Sequence, residues 1–362
     1  MKHSGTFAIC LTMIAALVSG GCHDTVHTGR TTVPYVEEIL SSHGWEWDAL
    51  SSFDQRDSRG SITVLDQNNA AASLVERFLK VDAVDNIDGR ARPDGLPDFA
   101  GEQIDVIDDD SNPSYSTLLG TDDASLRTLN VENFMSAMDT ACSLGAFDDE
   151  KLQHKLQAKA VIFSSPYLAL DCAFDIDTLK RSTGCAVPVI FPSRLVFEQQ
   201  LYRKIEHLHV AVVTDSLTAA SGIYPKVFDE VSGAMGILGT GCVAVSCDSS
   251  STINTVLARY KSAGGNMPIS AIVIDDKSLD AAVLAESLNE TLNVNNEENL
   301  NARKLITKDL VIVDIDKAVT DECYRILRKH NIFTHNISYP LSRNYLTVRS
   351  SAGYGTRLVE KD

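Results

Sequence analysis

The chain has no Cys-x-x-Cys pair, no cluster of lysines and arginines, and no long apolar run beyond residue 22. Each absence excludes something. Without closely paired cysteines a structural zinc site is not expected, and eight cysteines scattered over 362 residues do not make a disulfide scaffold. Without a basic patch, and with 49 acidic against 32 basic residues (net charge −17), nucleic acid and anionic lipid surfaces are poor partners. Without about 18 consecutive apolar residues, the body of the protein does not span a bilayer. What is present, 44% hydrophobic and 22% charged residues, is the composition of a folded globular protein. A chain of 362 residues suits two lobes of roughly 100–200 residues each.

The first 22 residues read MKHSGTFAICLTMIAALVSGGC. Lys2 precedes an apolar core from Phe7 to Val18, which is too short for a span and suits an export signal. Ser19, Gly20 and Gly21 before Cys22 resemble a bacterial lipoprotein cleavage site, with Ser19 where leucine is usual. The expectation is a signal peptide over 1–21 and acylation (palmitate or similar chains) at Cys22. Each buried CH₂ of such a chain adds about 0.8 kcal/mol of membrane affinity. The protein would then be a cell-envelope lipoprotein facing the periplasm or the cell surface. Residues 22–60 read as a lipidated tether with a short helix near Trp45 and Trp47 that packs on the body. Of the remaining cysteines, 142, 172, 185, 242, 247 and 323, the pair expected to oxidise is Cys172 with Cys185. The alternative is that all six are small buried apolar residues.

From Ser61 onward, short apolar runs alternate with helix-length amphipathic stretches. The runs are Ile62–Leu65, Ile104–Ile107, Ala160–Phe163, Val187–Phe191, Val210–Val213, Val243–Val245, Ala271–Ile274 and Leu310–Val313. Runs that are continuously apolar belong to strands buried on both faces, as in parallel sheets covered by helices. Between 316 and 330, Val319, Cys323 and Ile326 or Leu327 fall on one helical stripe. The fold class is therefore α/β, doubly wound with mostly parallel sheets.

In such sheets ligands gather beyond the carboxyl ends of the strands. Those ends carry Asp66–Asn69, Asp108–Asp110, Ser164–Tyr167, Thr214–Ser216, Cys247–Ser249 and Asp275–Ser278. Any one of these could simply cap the following helix; six together predict a polar crevice. Asp85, Asp88 and Gly89 lack the spacing and closing glutamate of a calcium loop, and no metal site is expected.

In order, these ends resemble the glutamate racemase family of the aspartate/glutamate racemase superfamily. Ile62–Asn68 sits where that family has a strand ending in Asp-Ser-Gly, and Asp109 to Tyr115 resembles its Asp-Thr…Pro-Tyr-Gly turn. Ala160–Pro166 is similar to the strand ending in Cys-Asn-Thr, and Val187–Ile190 to the crossover strand. Thr214, Thr218, Ser221, Gly222 and Tyr224 reproduce a Thr…Thr…Ser-Gly-x-Tyr segment. Val243–Cys247 resembles the strand before a Cys-Pro, Ile272–Ser278 falls where Gly-Cys-Thr-His is expected, and Val311–Asp314 looks like the last strand. The likeness covers roughly residues 60–330. It implies two lobes with a cleft between them, lobe 1 over 61–192 plus 310–350 and lobe 2 over 193–309, joined near Ile190–Ser193 and again near residue 309. It also implies a reaction without cofactor, in which two cysteines on opposite lobes exchange a proton with the substrate.

Both cysteines are replaced, by Ser164 and Asp276, and Asn69-Ala70-Ala71-Ala72 stands in place of a glycine-rich turn. A serine hydroxyl needs a neighbouring base to react, and an ordinary aspartate is a weak base toward a C–H bond. Two-thiol racemisation is thus expected to be lost. The leading expectation is a lipid-anchored protein that binds a small polar ligand, amino acid or sugar-like, in the cleft through Asp66, Ser164, Ser165, Thr214, Thr218, Ser221, Tyr224 and Asp276. Hydroxyls and helix-start N–H groups could hold a carboxylate there, while the aspartates favour an amine. One alternative is an isomerase or other acid/base enzyme with Asp66, Ser164 and Asp276 in catalytic roles. Another is a type I periplasmic solute-binding lipoprotein.

Overall fold

The architecture is that of a computed structural model, which describes residues 30–143, 152–170, 172–203, 207–336, 338–349 and 354–361, with the side chains of 152 and 172 excepted. The signal and acylation sites expected at 1–22 lie outside the described residues. The chain divides into two compact units, Met1–Thr31 and Thr32–Asp362, and every described helix and strand belongs to the second.

Helices α1 (Pro34–Ser42) and α2 (Trp45–Ser51) come first. Pro34 occupies the first helical turn of α1, where its missing N–H costs nothing. Tyr35, Val36, Ile39 and Leu50 are buried in the main core, and the Val33 N–H donates to Asp175 at 3.0 Å. The segment from Val33 to Leu50 is therefore packed on the body, with α2 covering the helix expected near Trp45 and Trp47 and α1 preceding it.

The alternation then begins with β1 (Ser61–Asp66), α3 (Ala72–Lys80), β2 (Gln103–Asp108), α4 (Tyr115–Leu118) and α5 (Asp123–Met138). It continues through β3 (Ala141–Ser143), β4 (Leu152–His154), β5 (Ala158–Phe163), α6 (Cys172–Thr183), β6 (Val189–Ile190) and α7 (Pro192–Arg203). Next come β7 (His209–Val213), α8 (Ser216–Ser221), α9 (Ile223–Ala234), β8 (Gly241–Val245), α10 (Ile253–Ser262) and β9 (Ile269–Ile274). The rest is α11 (Ala281–Asn293), α12 (Glu297–Ala302), β10 (Ile306–Asp314), α13 (Ile315–His330), β11 (Leu341–Arg349) and β12 (Thr356–Lys361).

Two sheets result. The larger runs β4-β3-β12-β11-β2-β1-β5-β6 and is parallel except at β3/β4 and β11/β12. The smaller, β10-β9-β7-β8, is parallel throughout. Strands β1, β5 and β9 are buried at every position, which is why their sequences are mostly apolar, with Thr63, Lys159 and Ser270 among the buried polar exceptions. This is the doubly wound α/β arrangement in two lobes.

Among the described residues the chain passes between the sheets twice, forward from β6 into α7 and back from β10 into α13. The boundary expected near 309 is displaced. Val311 pairs with Ala271 and Asp314 with Ile274, so β10 belongs to the smaller sheet and lobe 2 extends to Asp314. A helix makes the return because the stripe of Val319, Cys323 and Leu327 packs under lobe 1 with Phe78, Phe99 and Ile104. The place beside β2 goes to β11, and its hairpin partner β12 carries lobe 1 past residue 350 to Lys361. One apolar cluster joins the lobes: Phe163 stacks on Phe191 at 4.8 Å, and the same cluster contains Phe197, Tyr224 and Phe228 of lobe 2.

Candidate functional site

Strand register places the polar tips in matched pairs. In lobe 1, Leu65 lies opposite Phe163, so Asp66 and Ser164 are the next neighbours on adjacent strands. In lobe 2, Val213 lies opposite Ile274, which makes Thr214 and Asp275 the corresponding neighbours. The Thr214 N–H still bonds the Val245 carbonyl, and the Asp275 N–H the Val213 carbonyl, so strand alternation holds through both residues. Val212 and Val273 belong to the apolar cluster between the lobes, and Thr214 and Asp275 follow them on that same face. Each lobe thus offers a carboxylate and a hydroxyl side by side at its central strand ends.

Asp66 is 3% exposed. Its Oδ1 accepts from the N–H groups of Gln67 (2.8 Å) and Ala71 (3.0 Å) and from the Ser164 hydroxyl (3.2 Å), which lies closer to the Leu65 carbonyl at 2.8 Å. Burial pushes the Asp66 carboxyl above the usual range, and these donors together with Lys277 only partly oppose it. In lobe 2 the buried Tyr224 hydroxyl donates to Asp275. Desolvation drives Asp275 up to about 7, against the pull of Tyr224 and Lys277 and with the support of Asp316 and Asp215. Asp316, at the start of α13, is also raised by burial and accepts a hydrogen bond from Ser73.

The two sets of strand ends face one another, because bonds run between them. Lys277 Nζ donates to the Asn69 carbonyl at 2.8 Å, and Tyr167 OH makes a long contact of 3.5 Å with Thr218 Oγ1. Asn68 and Asn69 hold φ of 60° and 56°, so asparagines supply the left-handed backbone of the turn after β1 in place of glycines. Gln67 anchors that turn by donating to the carbonyls of Asp109 and Pro113 and accepting from the Tyr115 N–H.

The expected residues do not all behave alike. Asp66, Ser164, Thr214 and Tyr224 come together at the facing strand ends. Ser165 is buried, and its carbonyl opens the turn over 166–168. The Ser221 hydroxyl donates to the Thr218 carbonyl and accepts from the Ile223 N–H, which serves the junction of α8 and α9. Asp276 closes a local turn with the N–H and hydroxyl of Ser278, at 2.8 and 2.7 Å. Its neighbours Asp275 and Lys277 are the residues that reach the gap. Both were missed, as was Asp316. The available signal was a lone lysine directly after two aspartates at a strand end.

The helix starts at this gap already hold carboxylates of the protein itself. Asp66 takes the amides before α3, Asp215 those of Leu217 and Thr218 at α8, and Asp314 that of Lys317 at α13.

Cys142, Cys185, Cys242, Cys247 and Cys323 are free, so Cys185 does not take part in the expected disulfide. Burial raises every one of these thiols. Cys142, Cys185 and Cys323 are buried in the core; Cys242 lies within β8 and Cys247 just beyond it.

No family model and no curated protein matches the chain. Solved structures do. A glutamate racemase isoform from Bacillus anthracis is 15% identical, over 81% of this chain and 91% of that one, with a TM-score of 0.42. The glutamate racemase from Thermus thermophilus is 12% identical over 82% and 91%, with a TM-score of 0.43. An aspartate racemase homologue from Pyrococcus horikoshii is 11% identical over 75% and 99%, with a TM-score of 0.36.

Proposed function

We propose that the gap between the lobes binds a small polar ligand, and that the protein is an envelope lipoprotein acylated at Cys22 that does not carry out two-thiol racemisation. One observation carries the binding reading: the facing pairs Asp66/Ser164 and Asp275/Thr214, with Lys277 reaching across between them. A buried carboxyl such as Asp66, or a half-buried and desolvated one such as Asp275, costs stability when no buried cation faces it and is tolerated where it serves a ligand or a reaction. The loss of two-thiol chemistry is supported by the side chains at the ends of β1, β5, β7 and β9, which are hydroxyls and carboxylates, and by the upward push on each described thiol, Cys247 beyond β8 included. A thiol held above its ordinary pKa is a poor source of thiolate.

Calorimetry with amino acids, sugars and peptidoglycan fragments tests the binding reading. At least one class should give saturable heat that a Thr214→Val/Thr218→Val double variant weakens; heat from none would remove it. Anchoring predicts incorporation of a labelled fatty acid in cells that Cys22→Ser abolishes.

A second reading, an acid/base enzyme, is favoured by Asp275 near 7 on one lobe and a raised Asp66 on the other. One carboxylate would take a proton from the substrate while a neutral carboxyl opposite returns one. Deuterium wash-in at the α-carbon of candidate amino acids in D₂O should then be seen. No exchange across the panel would eliminate this version.

A further inference from the structure

The gap is short of positive charge. Asp66, Asp215, Asp275 and Asp316 gather at the strand ends; Lys277 acts on Asp66, Asp275 and Asp316, and Arg77, which pairs with Asp314 at 3.6 Å, acts on Asp316 as well. The Lys277 ammonium is exposed and donates to a carbonyl, that of Asn69. Asp66, Asp215 and Asp314 already accept from the amides of Ala71, Thr218 and Lys317, which adds further negative charge at these helix starts. A second observation is independent of charge. The Thr214 hydroxyl sits on a residue only 1% exposed, has no hydrogen-bond partner among the described residues, and lies beside Asp275 on the face turned toward lobe 1. A buried hydroxyl left unpaired costs about 1–3 kcal/mol, so it marks a place where a polar partner fits.

We propose that the ligand is a compact organic cation whose ammonium group lies between Asp66 and Asp275, donates a hydrogen bond to the Thr214 hydroxyl, and takes over the role of Lys277. This rests on the binding reading above and adds the charge of the ligand to it. Binding ionises Asp275 and so releases a proton. The groups facing Asp275 are Tyr224 from α9, Asp215 from the turn before α8, Asp316 from α13 and Lys277 from its own loop. Asp215 and Asp316 favour the neutral acid while Tyr224 and Lys277 favour the carboxylate; with desolvation holding the carboxyl near 7, affinity for a cation rises as pH passes upward through that value.

The test is calorimetry on the full chain with putrescine, ethanolamine and glucosamine as cations and D-glutamate and glucuronate as anions. Cations should bind, with heats that vary with buffer ionisation because a proton is released. Asp275→Asn should weaken them by about ten-fold or more, Thr214→Val by a few-fold, and Lys277→Met should tighten them. Thermal melts establish that each variant is folded, and Thr214→Val keeps the test open if one is not. Binding of the anions alone would overturn the cation assignment and leave the cleft reading standing. Cation binding indifferent to both Asp275→Asn and Thr214→Val would overturn the placement of the site. Heat from no probe would overturn this inference and the cleft reading together.

Discussion

At the amino ends of β2 and β5, buried charge is matched. Lys159 Nζ lies 2.6 Å from Glu102 and donates to the carbonyls of Ser58 and Ile332 at 2.9 and 2.8 Å, so all three of its protons are used. Lys155, fully buried, donates to the carbonyls of Ala137, Asp139 and Leu156 and stands 4.0 Å from Asp105. At the carboxyl ends, Asp66 and Asp275 have hydroxyl and amide donors but, among the described residues, no buried cation. Both ends contain ionisable groups out of water. The difference lies in whether the protein supplies the counter-ion, and this separates a structural network from a candidate site.

Three substitutions test that contrast, in order of effect. Lys159→Met should cost about 3–5 kcal/mol, because it strands Glu102 without its partner. Urea denaturation should show the loss, and adding Glu102→Gln should recover much of it. If Lys159→Met were harmless, the two ends would not differ in their supply of counter-charge.

Asp275→Asn should have the opposite sign. The Asp275 carboxyl titrates near 7 when folded and near 4 when unfolded, so the folded state holds the extra proton between those values. Stability therefore falls as pH rises through this window, and the full penalty is present above it. The variant keeps an acceptor for Tyr224 and removes the charge. It should be about 1–3 kcal/mol more stable than the parent near pH 8 and indistinguishable from it near pH 4, read from melting temperatures in matched buffers. A constant difference across pH would mean that Asp275 does not titrate abnormally.

Thr214→Val should give the smallest change, a gain of about 1 kcal/mol, since an unpaired hydroxyl is replaced by a methyl of similar size. A loss of that size would show that the hydroxyl is satisfied.

The central strands were legible because burial on both faces writes short, mostly apolar runs into β1, β5, β7 and β9. Strands β3 and β4 span three residues each, too short to register as runs. β11 alternates exposed residues with buried Tyr345 and Thr347, and its polar face broke the pattern being sought. The role of Asp275 was hidden for a related reason. When both faces of a strand are apolar, the sequence carries no mark of which face turns toward the gap, so adjacent aspartates at its end are equivalent on paper. Pairing with β7 and the contact with Tyr224 decide the matter in three dimensions. Lys277 was hidden similarly, since a lysine after two aspartates reads as a solvated turn until Asn69 is seen opposite.

The hairpin of β11 and β12 has an implication for synthesis on the ribosome. β11 covers the free edge of β2, and β12 is the link to β3 and through it β4. Until residues 341–361 emerge, after the whole of lobe 2 has been made, the larger sheet exists as two unjoined pieces with β2 bare along one side. A nascent chain of this protein thus carries an open strand edge for most of its translation, and a ribosome that stalls short of β11 releases a species primed to pair with its neighbours.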